Sequence, residues 1–319
     1  MQKIEIVKIE SLSRAPMVVE GYLFEGSDPE APSVAIVGAI EGDAIIPLYT
    51  TSRLVEFLSR KLEKEQKIRG NILVVPSVDH YALNVRERFW PLDKTDLNMM
   101  FPGYSEGETT QRIAHKLFEA VQGYTYGITL RSRPDNADCI PHVVLLESGY
   151  EDLEGAKRFG FKFIYHKEVQ SVNTVSLQYN WQLWHTKAFT IMTPRNAEPA
   201  GYDSDTVFQA LVRFLERSGV IDYPMFYAYE SNVVTREEIS VVKSPQSGIF
   251  VTQKTPGAYV HAGEVIGEIS HALEGRTIHT FTAPCDGMIT CLYNHALIIE
   301  KSIAFRIAQP AQRPDAHRH

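Results

Sequence analysis

The stretch that decides the fold is "RFWPLDKTDLNMMFPG", Arg88–Gly103. It follows an apolar run, "NILVVPSV", and precedes an amphipathic segment, "TTQRIAHKLFEAVQG". A buried strand, a polar loop and then a helix is the order of an α/β protein, whose working loops lie beyond the carboxyl ends of the strands. The same order recurs along the chain. "SVAIVGAI", "YGITL", "HVVLLES", "FKFIYH" and "AFTIMT" read as further strands. "LYTTSRLVEFLSRKLEKE" sets Leu54, Phe57, Leu58 and Leu62 on one helical face. The segment after the loop does the same with Ile113, Leu117, Phe118 and Val121, and Gly123 stops it. "SDTVFQALVRFLERSG" repeats the device, with Ser204 read as its N-cap and Gly219 as its stop. The alternation predicts a mostly parallel or mixed sheet covered by helices on both faces.

The chain has 319 residues and a net charge of −7, from 32 Lys+Arg against 39 Asp+Glu. That length suits one large domain and a small one. A mildly acidic chain without a basic run argues against a nucleic-acid partner. "MQKIEIVKIE" alternates as a strand does rather than as a signal peptide, and no apolar stretch is long enough to span a membrane. Cys139, Cys285 and Cys291 lack paired spacing, so the expectation is buried free thiols in a reducing cytoplasm.

Beyond about residue 235 the texture changes to short β-type runs punctuated by Gly and Pro. "SPQSGIFV" (Ser244–Val251) is echoed by "APCDGMIT" (Ala283–Thr290). Two copies of Pro-x-x-Gly before an apolar pair predict a small β-barrel sandwich with pseudo-twofold symmetry. It resembles the biotinyl/lipoyl type of domain. Carrier domains of that type keep a lysine in the central turn, which here is "SHALEGRT" without one, so no covalent cofactor is expected. The predicted domains are 1–235, 236–310 and a flexible tail, 311–319, where His317 and His319 read as a solvated end.

Arg88–Gly103 resembles the "R-x-x-P-x-D-G-x-D-L-N-R-x-F-P-G" segment of the succinylglutamate desuccinylase/aspartoacylase family. Members of that family are relatives of zinc carboxypeptidases that hydrolyse N-acyl amino acids. "VGAIEGDA" falls where the family has "G-x-H-G-D-E". "ITLRSRPDNADCIPHV" falls on its "D-L-H-T" segment, and "AFTIMTP" on its "l-T-x-E-x-G" segment. The resemblance implies a zinc-carboxypeptidase-like mixed sheet flanked by helices, plus a C-terminal all-β barrel-sandwich domain. It also implies a zinc ion held by two histidines and a glutamate, a glutamate that moves a water proton, and arginines that hold the substrate carboxylate.

Residue by residue, this chain departs from that pattern. The three ligand positions fall on Glu41, Ala44 and Arg131, and the general-base position on Met192. Met99 stands where the family has the arginine after Asn. Alanine has no donor, and a guanidinium is a permanent cation that cannot ligate a metal. Arg88, Asp96 and Asn98 remain. Zinc ligands converge, so Glu41 and Arg131 are expected to face each other and pair, the guanidinium standing in for the metal's charge. Arg88 and Asp96 are expected to form a structural ion pair or to bind ligand.

The leading expectation is a degenerate family member without zinc hydrolase activity. It would bind a small carboxylate or N-acyl amino acid through Arg88, Asn98 and Arg131, and no cofactor is expected. One rival is an active, zinc-dependent amidohydrolase with a rebuilt site, for which Asp43 and His80 are the replacement candidates. The other is a non-catalytic partner subunit of an active homologue, with "IDYPMFYAYE" as an interface; homo-oligomer formation is left open. Glu41 and Asp43 also read as loop acids satisfying turn amides, and His142 as a structural residue that starts a strand.

Overall fold

The structure, a computed structural model, describes residues 1–309 apart from 12, 14, 64–66, 134–136, 195–198 and 225–227, and without the side chains of 62 and 63. The expected tail therefore lies outside the described residues, as do Leu62's place on its helix face and the middle of "IDYPMFYAYE". The chain divides into two compact units, Met1–Ser132 with Pro141–Ser231, and Arg133–Ile140 with everything from Asn232 onward.

In chain order the strands are β1 (Gln2–Ile9), β2 (Met17–Phe24), β3 (Val34–Ala39), β4 (Ile72–Ser77), β5 (Tyr126–Ser132), β6 (Ala137–Cys139, in the second unit), β7 (His142–Glu147), β8 (Phe163–Glu168) and β9 (Lys187–Thr193). In the first unit they run in the order β1-β2-β4-β3-β5-β9-β7-β8. β3 pairs in parallel with β4 and β5, and β5 with β9, whereas β7 meets β9 antiparallel. The sheet is thus mixed, as the strand–helix alternation predicted. β3 is buried along its whole length, which is why its sequence is continuously apolar rather than alternating.

The helices are α1 (Ile45–Glu63), α2 (His80–Val85), α3 (Thr109–Val121), α4 (Leu153–Lys157), α5 (Leu177–Leu183) and α6 (Tyr202–Arg217). Leu54 and Leu58 of α1 are fully buried. Phe57 packs edge-on against Phe208 and Tyr223, which accounts for part of the aromatic stretch before the second unit. Ile113, Leu117, Phe118 and Val121 of α3 are buried as their spacing required. Ser204 does not cap α6: Gly201 does, and Ser204 sits buried within the first turn. The apolar residues behind Ser204 begin one turn later than the helix does, so periodicity alone marked the wrong start.

The second unit continues with β10 (Asn232–Val234), β11 (Ile239–Lys243), β12 (Gly248–Val251), β13 (Tyr259–Val260), β14 (Val265–Ser270), β15 (Thr277–Thr282), β16 (Gly287–Tyr293), β17 (Leu297–Ile298) and β18 (Ile303–Ala308). Its sheets are β11-β18-β16-β13, with β6 also on β16, and β15-β14-β12-β17. The repeat is visible here. Each Pro-x-x-Gly opens a strand, β12 or β16. β13, which follows the first copy, pairs with β16, and β17, which follows the second, pairs with β12. Phe250, Phe281, Phe305 and Ile289 fill the core of this unit.

The cysteine expectation is corrected. Cys139 and Cys291 form a disulfide across a sequence separation of 152, and only Cys285 is free. β6 lays Cys139 directly opposite Cys291 on β16. A three-residue strand inserted between β5 and β7 leaves no periodic signal, so neither the pairing nor this segment's membership of the second unit could be read from spacing. Among the described residues no helix is long and apolar enough to cross a membrane.

Candidate functional site

The site is built on the loops that follow β3 and β5. After Ala39 the chain turns, with the Ala44 N–H donating to the Glu41 carbonyl at 3.2 Å, and runs into α1. Glycine is required at position 42: a Cβ there would lie 2.3 Å from the Ala82 carbonyl carbon and 2.4 Å from the Leu83 nitrogen. The turn is thereby pressed onto α2 and holds Glu41, whose side chain is 1% exposed, beneath it.

Glu41 and Arg131 meet, as their positions predicted. Arg131 Nε donates to Glu41 Oε1 at 2.7 Å, and Nη2 lies 2.5 Å from the same oxygen. The pairing is not fork-to-fork, because Arg88 Nη2 also reaches Oε1, at 3.0 Å. Arg88 Nη1 stands 3.5 Å from Asp43 Oδ1 and from the Ser132 carbonyl. Arg88 is thus a buttress between the two loops, and its expected pairing with Asp96 is not formed. Asp96 instead caps the short 3-10 turn Leu97–Met99 by accepting from the Asn98 N–H at 3.0 Å. Burial pushes its carboxyl up from the usual range, Arg131 opposes that, and Glu41 reinforces it.

The residues present do not fit a zinc ion. Of Glu41, Ala44 and Arg131, only Glu41 offers a donor atom, and one of its oxygens is already enclosed by two guanidiniums. A dication would have to sit against those cations. Among the described residues no group of three His, Cys, Asp or Glu side chains is arranged to hold a metal. Asp43 is engaged by Arg88. His80 opens α2 and lines a different cavity, of about 620 Å³, with Glu20, Leu48 and Glu56. His142 begins β7, buried and stacked on Phe163 at 4.4 Å, as a structural residue would be.

Beside the ion-paired hub lies a cavity of about 80 Å³. One face of three adjacent strands forms much of its wall. Thr129 and Arg131 of β5 are in register with Thr190 and Met192 of β9, and Val144 of β7 stands opposite Thr190. Asn98 joins from the loop, and Gln178 from α5. Thr190 donates to Gln178 Oε1 at 2.7 Å, and Gln178 Nε2 donates to the Val144 and Ala188 carbonyls. Asn98 Nδ2, Thr129 Oγ1 and Glu41 Oε2 are buried with no partner among the described residues. Met192 and Asn98 therefore lie together as the sequence placed them, whereas Arg88 does not line the cavity. Thr129, Gln178 and Thr190 were missed, since polar residues in apolar strands carry no motif.

The loop keeps its shape for reasons of packing. Leu97, Phe101 and Trp90 are buried in the core that contains Ile113, Leu117 and Trp181. Gly103 adopts φ +86°, and a Cβ there would lie 2.1 Å from the His115 nitrogen.

The sequence model described as the succinylglutamate desuccinylase/aspartoacylase catalytic domain matches residues 30–168. An N-alpha-acetyl-L-2,4-diaminobutyric acid deacetylase from Halomonas elongata is 29% identical over 164 residues, covering 50% of this chain and 46% of that protein. The chain thus matches about half the length of this curated relative. Among solved structures, an aspartoacylase family protein from Mesorhizobium loti superposes with a TM-score of 0.76 at 18% identity, covering 98% of this chain and 95% of that one. The product-bound ectoine utilization protein EutE (DoeB) from Ruegeria pomeroyi gives 0.74 at 16%, covering 94% and 93%. A succinylglutamate desuccinylase/aspartoacylase from Rhodobacter sphaeroides gives 0.76 at 16%, covering 98% and 96%. These likenesses share the fold, with its mixed sheet and additional C-terminal antiparallel sheets. Residues 30–168 thus carry the sequence pattern of the succinylglutamate desuccinylase/aspartoacylase catalytic domain, on a fold shared with solved structures of that family.

Proposed function

We propose that this chain is a member of a family of N-acyl amino acid deacylases that does not run zinc-dependent hydrolysis, and that its former catalytic end binds a small carboxylate or an acylated amino acid. One observation carries the reading: Arg131 and Arg88 close on Glu41 where a metal would need donors. Chemically, the hub can do what fixed cations do. It can orient and neutralise an anion, but Met192 offers no group to take a proton from water. Asn98, Thr129 and Arg131 supply the donors; Arg88 supports them by holding the Glu41 turn to the Ser132 carbonyl.

The rival reading, a rebuilt metal site on Glu41, Asp43 and His80, is opposed by the separate cavity that His80 lines and by the guanidinium already on Asp43. The test is elemental analysis of untagged protein, with an amine-release assay on N-acetyl amino acids. The expected result is substoichiometric zinc and no hydrolysis. Stoichiometric zinc that disappears in Glu41→Ala, together with turnover, would overturn the reading.

A further inference from the structure

We infer that the 80 Å³ cavity is a site for a short-chain monocarboxylate, with one or two carbons beyond the carboxyl group, and not for an acylated amino acid. The inference deepens the reading above and rests on it.

Size comes first. Cavities that take drug-sized ligands hold roughly 300–1,000 Å³, whereas this one holds about 80 Å³. A water's share of liquid volume is about 30 Å³, so the space suits a few waters or one small anion. An N-acyl amino acid, with two carbonyl groups and a side chain, does not fit within it.

The lining is mixed in character. Asn98 and Thr129, each 1% exposed, present buried polar atoms without partners among the described residues. Arg131 spends Nε and Nη2 on Glu41, and its Nη1 hydrogens have no partner among the described residues. An amide N–H, a hydroxyl and a guanidinium edge are donors, and together they match the lone pairs of a carboxylate. Val144, Leu146 and Met192, which line the cavity along with Lys167, supply apolar surface for a short alkyl group. The neighbouring polar pair, Thr190 and Gln178, is already satisfied and makes no competing demand.

Leaving buried donors unpaired is costly, so a ligand that satisfies them gains selectivity over one that cannot. A carboxylate does so with charge. The neutral amide of the same shape puts an N–H₂ against donors and is rejected. Alkyl length is limited by the wall that Leu146 forms.

The experiment titrates ¹³C-labelled acetate into the full-length protein and follows binding by NMR, with acetamide as the neutral isostere and hexanoate as the oversize acid. Zinc content and amine release are measured on the same sample. Saturable acetate binding is expected, with acetamide and hexanoate at least about tenfold weaker. Thr129→Val, which keeps the shape and removes an unpaired buried hydroxyl, should fold normally and weaken acetate about tenfold. Leu146→Ala should move the preference toward longer acids. Absent saturable acetate binding, equal binding of acetamide, or an unchanged affinity in Thr129→Val overturns this inference, while a zinc-free, inactive sample leaves the reading beneath it standing. Stoichiometric zinc with turnover overturns both.

Discussion

Two buried carboxylates stand just beyond the ends of neighbouring parallel strands, and the molecule handles them in opposite ways. Glu41 follows β3 and Asp79 follows β4; each is at most 2% exposed, and each keeps one oxygen without a partner among the described residues. Glu41 keeps company with two arginines. Among the described residues no cation pairs with Asp79. Its Oδ1 accepts from the Ala82 N–H at 2.9 Å as the N-cap of α2, and burial pushes its pKa up to about 6. One loop balances its acid with fixed positive charge, whereas the other leaves its acid to burial, which raises its pKa. Arginine-rich packing is therefore a property of the hub, not of every acid that this fold buries.

The comparison breaks most severely if the hub loses a cation. Arg131→Ala should lower stability by about 3 kcal/mol, the lower end for a broken buried ion pair, because Arg88 still reaches Glu41. Urea unfolding gives the value. Replacing both partners, with Glu41→Leu and Arg131→Leu together, should cost less than Arg131→Ala alone, since no buried carboxylate is then left short of a cation and Arg88 keeps Asp43 and the Ser132 carbonyl. If the double variant is the worse of the two, Glu41 is not held by its pairing.

The second test sharpens the Asp79 side. Its folded pKa lies above that of the unfolded chain, so both states are neutral in acid and burial carries no penalty there. As pH rises toward about 6 the unfolded state ionises first, and stability falls until the folded group has ionised as well. A shift of about 2 units corresponds to about 3 kcal/mol. Asp79→Asn keeps an acceptor for Ala82 and removes the titration. Its stability relative to the parent should rise by up to about 3 kcal/mol between pH 4 and pH 7.5, other groups cancelling in the difference. Parallel curves for the two proteins would show that Asp79 does not titrate this way.

The sequence made different amounts of this legible for physical reasons. β3 and β4 were readable because strands buried on both faces are continuous apolar runs, and α3 because its apolar stripe has helical period. The Glu41–Arg131 contact was readable because spacing along a familiar motif placed both at one point. Arg88's attachment to Glu41 and Asp43, instead of Asp96, was not, since a long flexible side chain has many acids within reach and only the folded loop selects among them. The cavity's Thr129 and Gln178 were invisible for a related reason: a hydroxyl or amide becomes notable only once burial has removed its water. The disulfide needed two strands far apart in the chain to be laid side by side.

Gly42 connects the two carboxylates and gives the smallest effect. It lies between Glu41 and Asp43 in sequence and against Ala82 and Leu83 of α2 in space, with no room for a Cβ. Gly42→Ala must push the β3 turn away from the helix that Asp79 caps, at a cost of about 2 kcal/mol. The informative quantity is its combination with the other variants. If the turn and α2 share one packed contact, displacing it already loosens Glu41 from its arginines and loosens the cap. Gly42→Ala with Arg131→Ala should then cost less than the sum of the singles by more than about 0.5 kcal/mol, the usual limit of additivity for independent sites. The pH-dependent gain from Asp79→Asn should also shrink in the Gly42→Ala background, because water reaching the cap lowers the penalty on the charged form. Strict additivity in both combinations would mean that the two acids, though on adjacent strand ends, are buried independently of each other.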